Sequence, residues 1–359
     1  MKFLFWTAVA SGPLAVGLWV LAGASPTAVE ALYSRTLYPL VMGPWSRFVG
    51  LVPFAVVPWL ALGLLGAAFG VFWFHPPGRA LALVAAGVSV VVAWFVLGWG
   101  LNYQRESWAV NHGWKPSGGT VAALEGLAER LADRAVPLRQ AAWSGGSPAF
   151  ATREVRQAVS RAYSRWSLRE PLVKGDYGDP KPFPVPELLS WMGISGIFLP
   201  FTGEPLVNLG PGDWQLPFTA AHEAAHLRGW AREDEANFLA FEVLKDDPDP
   251  RLAYSAWSSA LLYVAQGLSS AGQQGQEAWA RVLPRVSEGV REDWNASFAY
   301  WDRFKGPVRE ASRTVNDLYL KSQGQVDGVR SYGRMVDLLL ATEGASGTAP
   351  GPGVPRPGH

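Results

Sequence analysis

Leu216-Pro217-Phe218-Thr219-Ala220-Ala221-His222-Glu223-Ala224-Ala225-His226-Leu227-Arg228-Gly229 is the stretch on which the rest of the chain turns. Its four alanines are strong helix formers, and Gly229 is placed to end a helix, so the pattern predicts one over 215–229. On that helix His222 and His226 lie four apart, one turn from each other on one face, where a single ion can bind both. Glu223 points about 100° away around the helix. It cannot easily join the same coordination shell, but it can reach a water held by the ion, the position a general base needs. An exposed helix that happens to carry two imidazoles would not explain the small apolar flanks or the acid-rich helix that follows at once.

A third ligand is required, with one position left open. The chain has no cysteine, which removes disulfides, thiolate ligands and a cysteine nucleophile, and it has only five histidines. Of the other three, His75 follows the second apolar stretch, His112 reads as a loop residue and His359 as a tail residue. The motif extended to a third His after Gly229 fails, because Arg232 stands at the final position. The next segment, Arg232-Glu233-Asp234-Glu235-Ala236-Asn237, offers three acids. Glu235 shares a helical face with Phe238, Leu239 and Glu242, so it is the expected third ligand, with Glu242 behind it. Glu233 and Asp234 are expected in the solvated first turn, where acids suit the helix dipole.

Upstream, three uncharged apolar stretches open the chain: Phe3–Gly23, Leu51–Phe74 and Ala80–Leu101. At about 1.5 Å per residue, roughly 20 residues cross the hydrocarbon core, so each is long enough to span a bilayer. Trp59, Trp73, Trp94 and Trp99 lie mostly towards the ends, as an interfacial belt wants. Lys2 precedes the first stretch, and Ala22-Gly23-Ala24 resembles a signal-peptidase site, so that stretch reads as either a cleaved signal or a retained anchor. Both put the loop His75–Arg79 inside and residues 102–359 outside. Residues 24–50 read as a short amphipathic connection near the surface.

The composition agrees with this division. The chain is 49% hydrophobic and 17% charged, too apolar for an ordinary soluble enzyme, and the excess lies in the first hundred residues. A net charge of +1 without charged blocks gives no field for nucleic acid. The uncharged spans argue against a transporter, whose pathway is usually marked by ionisable residues.

Beyond Asn102 the pattern becomes that of a folded domain. Thr120 caps a helix with apolar Val121, Leu124, Leu127 and Leu131. A second helix is predicted over 152–166, and residues 174–187 read as loop. Gly196–Pro200 and Leu206–Leu209 read as short strands around Thr202-Gly203-Glu204. Helices are expected at 232–246, 251–270, 274–305, 308–320 and 331–342. A Gly/Pro-rich tail, 343–359, is expected to be disordered. The fold class is mainly α: N-terminal transmembrane helices in 1–101, then a predominantly helical domain over 102–342 with a small β element.

Several motifs resemble the bacterial membrane family known as DUF3810, a set of predicted zinc peptidases of the gluzincin type. They are Gly100-Leu101-Asn102-Tyr103, Pro200-Phe201-Thr202-Gly203-Glu204 with Asn208, Leu216–Thr219 leading into the His222–His226 motif, Arg228-Gly229, Glu233–Asn237, Tyr254-Ser255 and Gly328–Gly333. The resemblance covers roughly 30–342. It implies a zincin-like domain holding one zinc ion and supports Glu235, since the Glu-Ala-Asn element looks like the third-ligand helix of other small zinc peptidases.

The resulting expectation is a membrane-anchored zinc metallopeptidase acting on a peptide or protein substrate. Zinc sits on His222, His226 and Glu235, with Glu223 as the base. Asn237 is expected to orient a ligand. Tyr254, Arg330 and Tyr332 are candidate oxyanion donors. Leu206, Val207 and Asn208 are a candidate edge strand for an extended substrate. The rival is a catalytically silent zinc-binding sensor or scaffold, against which the Glu223 position speaks.

Overall fold

The computed structural model describes residues 2–116, 118–143, 152–323 and 334–346. The described residues are mainly helical with one small sheet.

The three apolar stretches form helices Lys2–Ala22, Val57–Phe74 and Pro77–Gly98, each long and apolar enough to cross a bilayer. The second starts later than expected because residues 51–56 turn around Pro53, which lacks an N–H for the helix ladder. The first and third helices pack on each other along small residues. Pro13 leaves the Val9 carbonyl without its usual helical donor, and Ser89 of the third helix supplies one at 2.7 Å. Ser89 Oγ in turn accepts from Gly12 N at 2.8 Å. A Cβ at Gly12 would lie 2.6 Å from that oxygen, so glycine is what permits the approach.

The amphipathic connection over residues 24–50 is helical. Helical turns run nearly unbroken from Pro26 to Gly50, with a π-helical stretch Val29–Leu37. One face, with Glu30, Tyr33, Tyr38, Met42 and Ser46, is buried, whereas Leu32, Leu37, Leu40, Val41 and Phe48 are exposed. The sequence showed the amphipathic pattern but not what the polar residues on the inner face reach. Glu30 pairs with buried Arg105 at 2.7 Å, and Tyr38 donates to the Leu227 carbonyl at 2.9 Å. Burial opposes ionisation of Glu30, yet the Arg105 and Arg35 guanidiniums hold its carboxyl below the ordinary range.

The sheet has three strands, β1 Lys181–Pro182, β2 Gly196–Leu199 and β3 Glu204–Val207, in the order β1-β3-β2. β1 is parallel to β3, and β2 is antiparallel to it, with Ile197 opposite Leu206. The stretch 174–187, read as loop, therefore contains a strand. β3 is central and fully buried, not an edge, so Leu206 and Val207 cannot pair with a substrate strand. Asn208 leaves β3 to bind Ser190 Oγ and the Ile194 carbonyl through Nδ2, and it accepts from Gly210 N.

An ion pair fixes this sheet to the second span. Lys181 Nζ lies 2.8 Å from Glu204, with both side chains 2% exposed, and donates to the Val49 and Phe54 carbonyls. Glu204 also accepts from Val56 N and Val57 N, capping the helix that enters the membrane. Removing one member strands a buried charge, which costs about 3–5 kcal/mol. Lys181→Ala is therefore expected to lower the thermal midpoint in detergent by about 10 °C. An unchanged midpoint would show that the pair is not holding the sheet to the second span.

The remaining helices pack around the motif. Helices Val121–Trp143 and Pro250–Ser270 form the main apolar body, and Thr152–Trp166 packs on the motif helix and on Glu233–Leu244. The predicted helix over 274–305 is two, Gly272–Val282 and Glu288–Asp302, because the chain turns at Leu283–Arg285, where Pro284 lacks a donor. A second apolar cluster crosses the expected boundary at residue 101. It joins Ala15, Ala93, Val96 and Trp99 of the membrane region to Phe198 on β2 and Leu227 on the motif helix.

Candidate metal centre

The helix Leu216–Leu227 carries the motif and is buried along its whole length. Ala220, Ala221, Ala224 and Ala225 let neighbours approach closely, and Tyr163 donates to the Ala221 carbonyl at 2.8 Å. Gly229 reverses the chain at φ +83, where a Cβ would press on Asn102 and Tyr38 at about 3.0–3.1 Å. After this turn the next helix, Glu233–Leu244, starts beside the two imidazoles.

Both rings are anchored through Nδ1. His222 Nδ1 lies 2.8 Å from Asn237 Oδ1, and His226 Nδ1 lies 2.7 Å from the Trp230 carbonyl. Two acceptors hold the Nδ1 protons, so in the neutral form of each ring Nε2 presents a lone pair. The two Nε2 atoms are 3.0 Å apart, and Glu233 Oε2 is 3.2 Å from one and 3.5 Å from the other. Donor bonds near 2.05 Å in a tetrahedral site make an edge of about 3.3 Å, so the triangle matches a zinc-sized cation. The three atoms form a group able to hold a metal ion.

The electrostatics demand positive charge at this point. Burial opposes charging His226, but the Glu233 carboxylate outweighs it and draws the imidazole up to about 9. Burial likewise works against Glu233, and the two imidazoles hold it well below the ordinary carboxylate range. Glu223 is pushed up to about 7 by burial, with Glu233 adding to the rise and the imidazoles opposing it.

The acid beside the imidazoles is thus Glu233, not Glu235. Glu235 is buried, but its carboxylate accepts from Trp108 N at 2.6 Å and from Arg232 at 3.2 Å. The sequence reading took the most apolar helical face as the metal face. That face packs into the core, and the helix N-terminus is the part folded over the motif. The decisive spacing was present: Glu233 and Asn237 are four apart and share a face, so an Asn237 behind His222 puts Glu233 at the metal. Asn237 does stand behind His222 and accepts from Tyr263 at 3.2 Å, a partner the sequence reading missed. Asn237→Ala is expected to weaken metal affinity by about 10–100-fold in a chelator competition. An unchanged constant would mean that the ring needs no such support.

The other expected residues lie elsewhere. Glu242 binds Lys245 at 2.7 Å, and burial raises its carboxyl. Tyr254 donates to Asp293 at 2.6 Å and is committed there. Arg330 and Tyr332 lie outside the described residues. A different hydroxyl pair is near the centre: Tyr103 donates to Tyr319 at 3.1 Å, and Tyr319 is close enough to Glu233 to feel its charge. Burial, tempered by Tyr103, raises Tyr319 to about 12, so it remains a proton donor. In the sequence, the Gly100–Tyr103 motif marks one member of this pair.

Glu223 faces β2. A Cβ at Gly196 would come within 2.6 Å of its Oε1, so a side chain there would displace the carboxylate. Asn208 N donates to the Ser195 carbonyl at 2.8 Å, which sets the alternation: Ser195 and Ile197 point their backbone groups at β3, and Gly196 and Phe198 point theirs to the opposite edge. The Phe198 N–H faces Glu223 and favours its ionised form.

No curated protein and no solved structure matches the chain. The family model described as protein of unknown function DUF3810 matches residues 33–340, most of the chain. The chain belongs to the DUF3810 family.

Proposed function

We propose that the protein is a membrane-anchored zinc metallopeptidase of the gluzincin type, with its catalytic domain outside the cytoplasm. The observation that carries this reading is the triangle of His222 Nε2, His226 Nε2 and Glu233 Oε2, with Glu223 on the same helix beside it. A zinc ion bound there would polarise a substrate carbonyl and lower the pKa of a water molecule. His222, His226 and Glu233 hold the site, and Asn237 and the Trp230 carbonyl fix the ring orientations. Glu223, on the same helix beside the ligands, takes the proton of the attacking water and hands it to the departing amine. β2 offers the Gly196 backbone and the Phe198 carbonyl as the edge on which an extended peptide aligns. Tyr319, backed by Tyr103 and within reach of the Glu233 charge, is the hydroxyl we assign to the developing oxyanion.

A silent sensor would need the ligands but not Glu223. The test uses the full chain in detergent with a peptide library read by mass spectrometry. Hydrolysis is expected to vanish on chelation, by at least about 100-fold, and to return with one equivalent of zinc. Stoichiometric zinc binding without any cleavage would favour the sensor.

A further inference from the structure

The membrane spans end at the metal centre, not on a tether. Trp99 is the residue after the third span, and its Nε1 donates to the carbonyl of His226 at 3.1 Å. Its ring also packs edge-on against the His226 imidazole and at a tilt against Phe198 of β2, with centroids 6.2 and 5.4 Å apart. The third span has 22 residues, about 33 Å of helix, which matches a hydrocarbon core of about 30 Å and puts Gly98 at its edge. The headgroup layer beyond that edge is about 5–8 Å deep. His226 therefore lies at or just above headgroup level.

Two independent features agree. Tyr38 binds the motif helix at the Leu227 carbonyl, while Leu40, about 200° round the same helix, is 70% exposed. With Leu37, Val41 and Phe48 it makes an apolar outer face of the kind that lies in a bilayer surface. The motif helix is then about one helix diameter, 8–10 Å, from lipid. The turn after β2 is also at the membrane end. Phe201 packs on Phe95 of the third span, its carbonyl accepts from Trp45, and Glu204 caps the second span. β2 thus runs from Leu199 at the membrane towards Gly196 at Glu223.

We infer that the substrate is a membrane-anchored polypeptide cut close to the point where it leaves the bilayer. This rests on the peptidase reading above. An extended chain beside β2 gains about 3.3 Å per residue, so the scissile bond falls about 3–6 residues from the lipid edge. A domain fixed this low cannot reach far along a soluble chain, since the apolar cluster from Ala15 to Leu227 packs it onto the spans.

The test is a randomised peptide segment presented to the full-length protein in phosphatidylcholine nanodiscs. It is attached to a Leu/Ala transmembrane helix directly, attached through a hydrophilic spacer of about 30 residues, or left free. The spacer lifts the segment roughly 30 Å as a coil. Direct attachment is expected to give at least 10-fold faster cleavage than the other two, with cuts within the first ten residues after the helix. Equal rates in all three formats, or cuts spread along the spacer, would overturn the inference. Loss of all cleavage in every format would remove the peptidase reading and this inference with it. The placement is checked without turnover. The chain has no native cysteine, so nitroxides on Leu40→Cys and on Leu168→Cys, 86% exposed, report single sites. The first is expected to relax with oxygen dissolved in lipid and the second with an aqueous nickel chelate. An aqueous signature at both would also overturn it.

Discussion

Glu223→Gln is expected to leave zinc content at one equivalent and to reduce kcat/KM for peptide hydrolysis by at least ~10³-fold, about 4 kcal/mol of barrier. The amide has the same shape, so it still fills the space left by Gly196. It cannot take a proton. The loss therefore isolates proton transfer from folding and from metal binding, and ligand-bound zinc measured on the same preparation makes the separation. Activity within tenfold of the wild type would show that Glu223 is not the base. The result would then favour a site that binds metal without using this carboxylate.

The second large effect separates two acids that sit two residues apart. Glu233→Ala is expected to weaken zinc binding by more than the ~10–100-fold typical of a residue behind a ligand, at least ~10³-fold, because a donor atom is lost outright. Glu235→Ala is expected to keep full zinc stoichiometry. It instead leaves the buried Trp108 N–H and Arg232 without their acceptor, at a cost of about 1–3 kcal/mol in stability. Zinc titration and thermal unfolding on both variants give a crossed pattern: metal lost in one, stability lost in the other. The opposite crossing would return Glu235 to the metal.

This pair of acids shows where the sequence was legible and where it was not. The motif helix could be read directly, because the four-residue spacing and the alanines are local properties, and Gly229 ends that helix as its conformational freedom predicts. Helical faces were legible as well. What the sequence does not contain is the angle at which two helices meet. Glu235 lies on the more apolar face, and burial was a correct inference for it; only the turn at Gly229 decides that the helix tip, not its apolar side, overlies His222 and His226.

The same limit applies to the sheet. Leu206 and Val207 read as a strand, but Lys181 and Pro182 pair with them from across a proline-rich segment that carries no strand pattern, so an apparent edge became a centre. Tyr254 shows the limit for polar residues. Its hydroxyl found Asp293 on a distant helix, a partner set by tertiary packing alone. The spans were legible from length and hydropathy, whereas the contact of Trp99 with His226 depends on how the domain sits on their ends.

Pro13 and Ser89 give the membrane helices something that apolar surfaces lack, a fixed vertical setting. Two smooth helices in lipid can slide past one another with little change in contact, since one turn looks much like the next. The carbonyl exposed by Pro13 is a single notch, and the Ser89 hydroxyl is the pin that enters it. A slip of one turn, about 5.4 Å, would withdraw the pin and leave that carbonyl facing hydrocarbon, at a cost of several kcal/mol. Because Trp99 stands ten residues beyond Ser89 on the same stretch of chain, the notch also sets the height of the two imidazoles against the first helix.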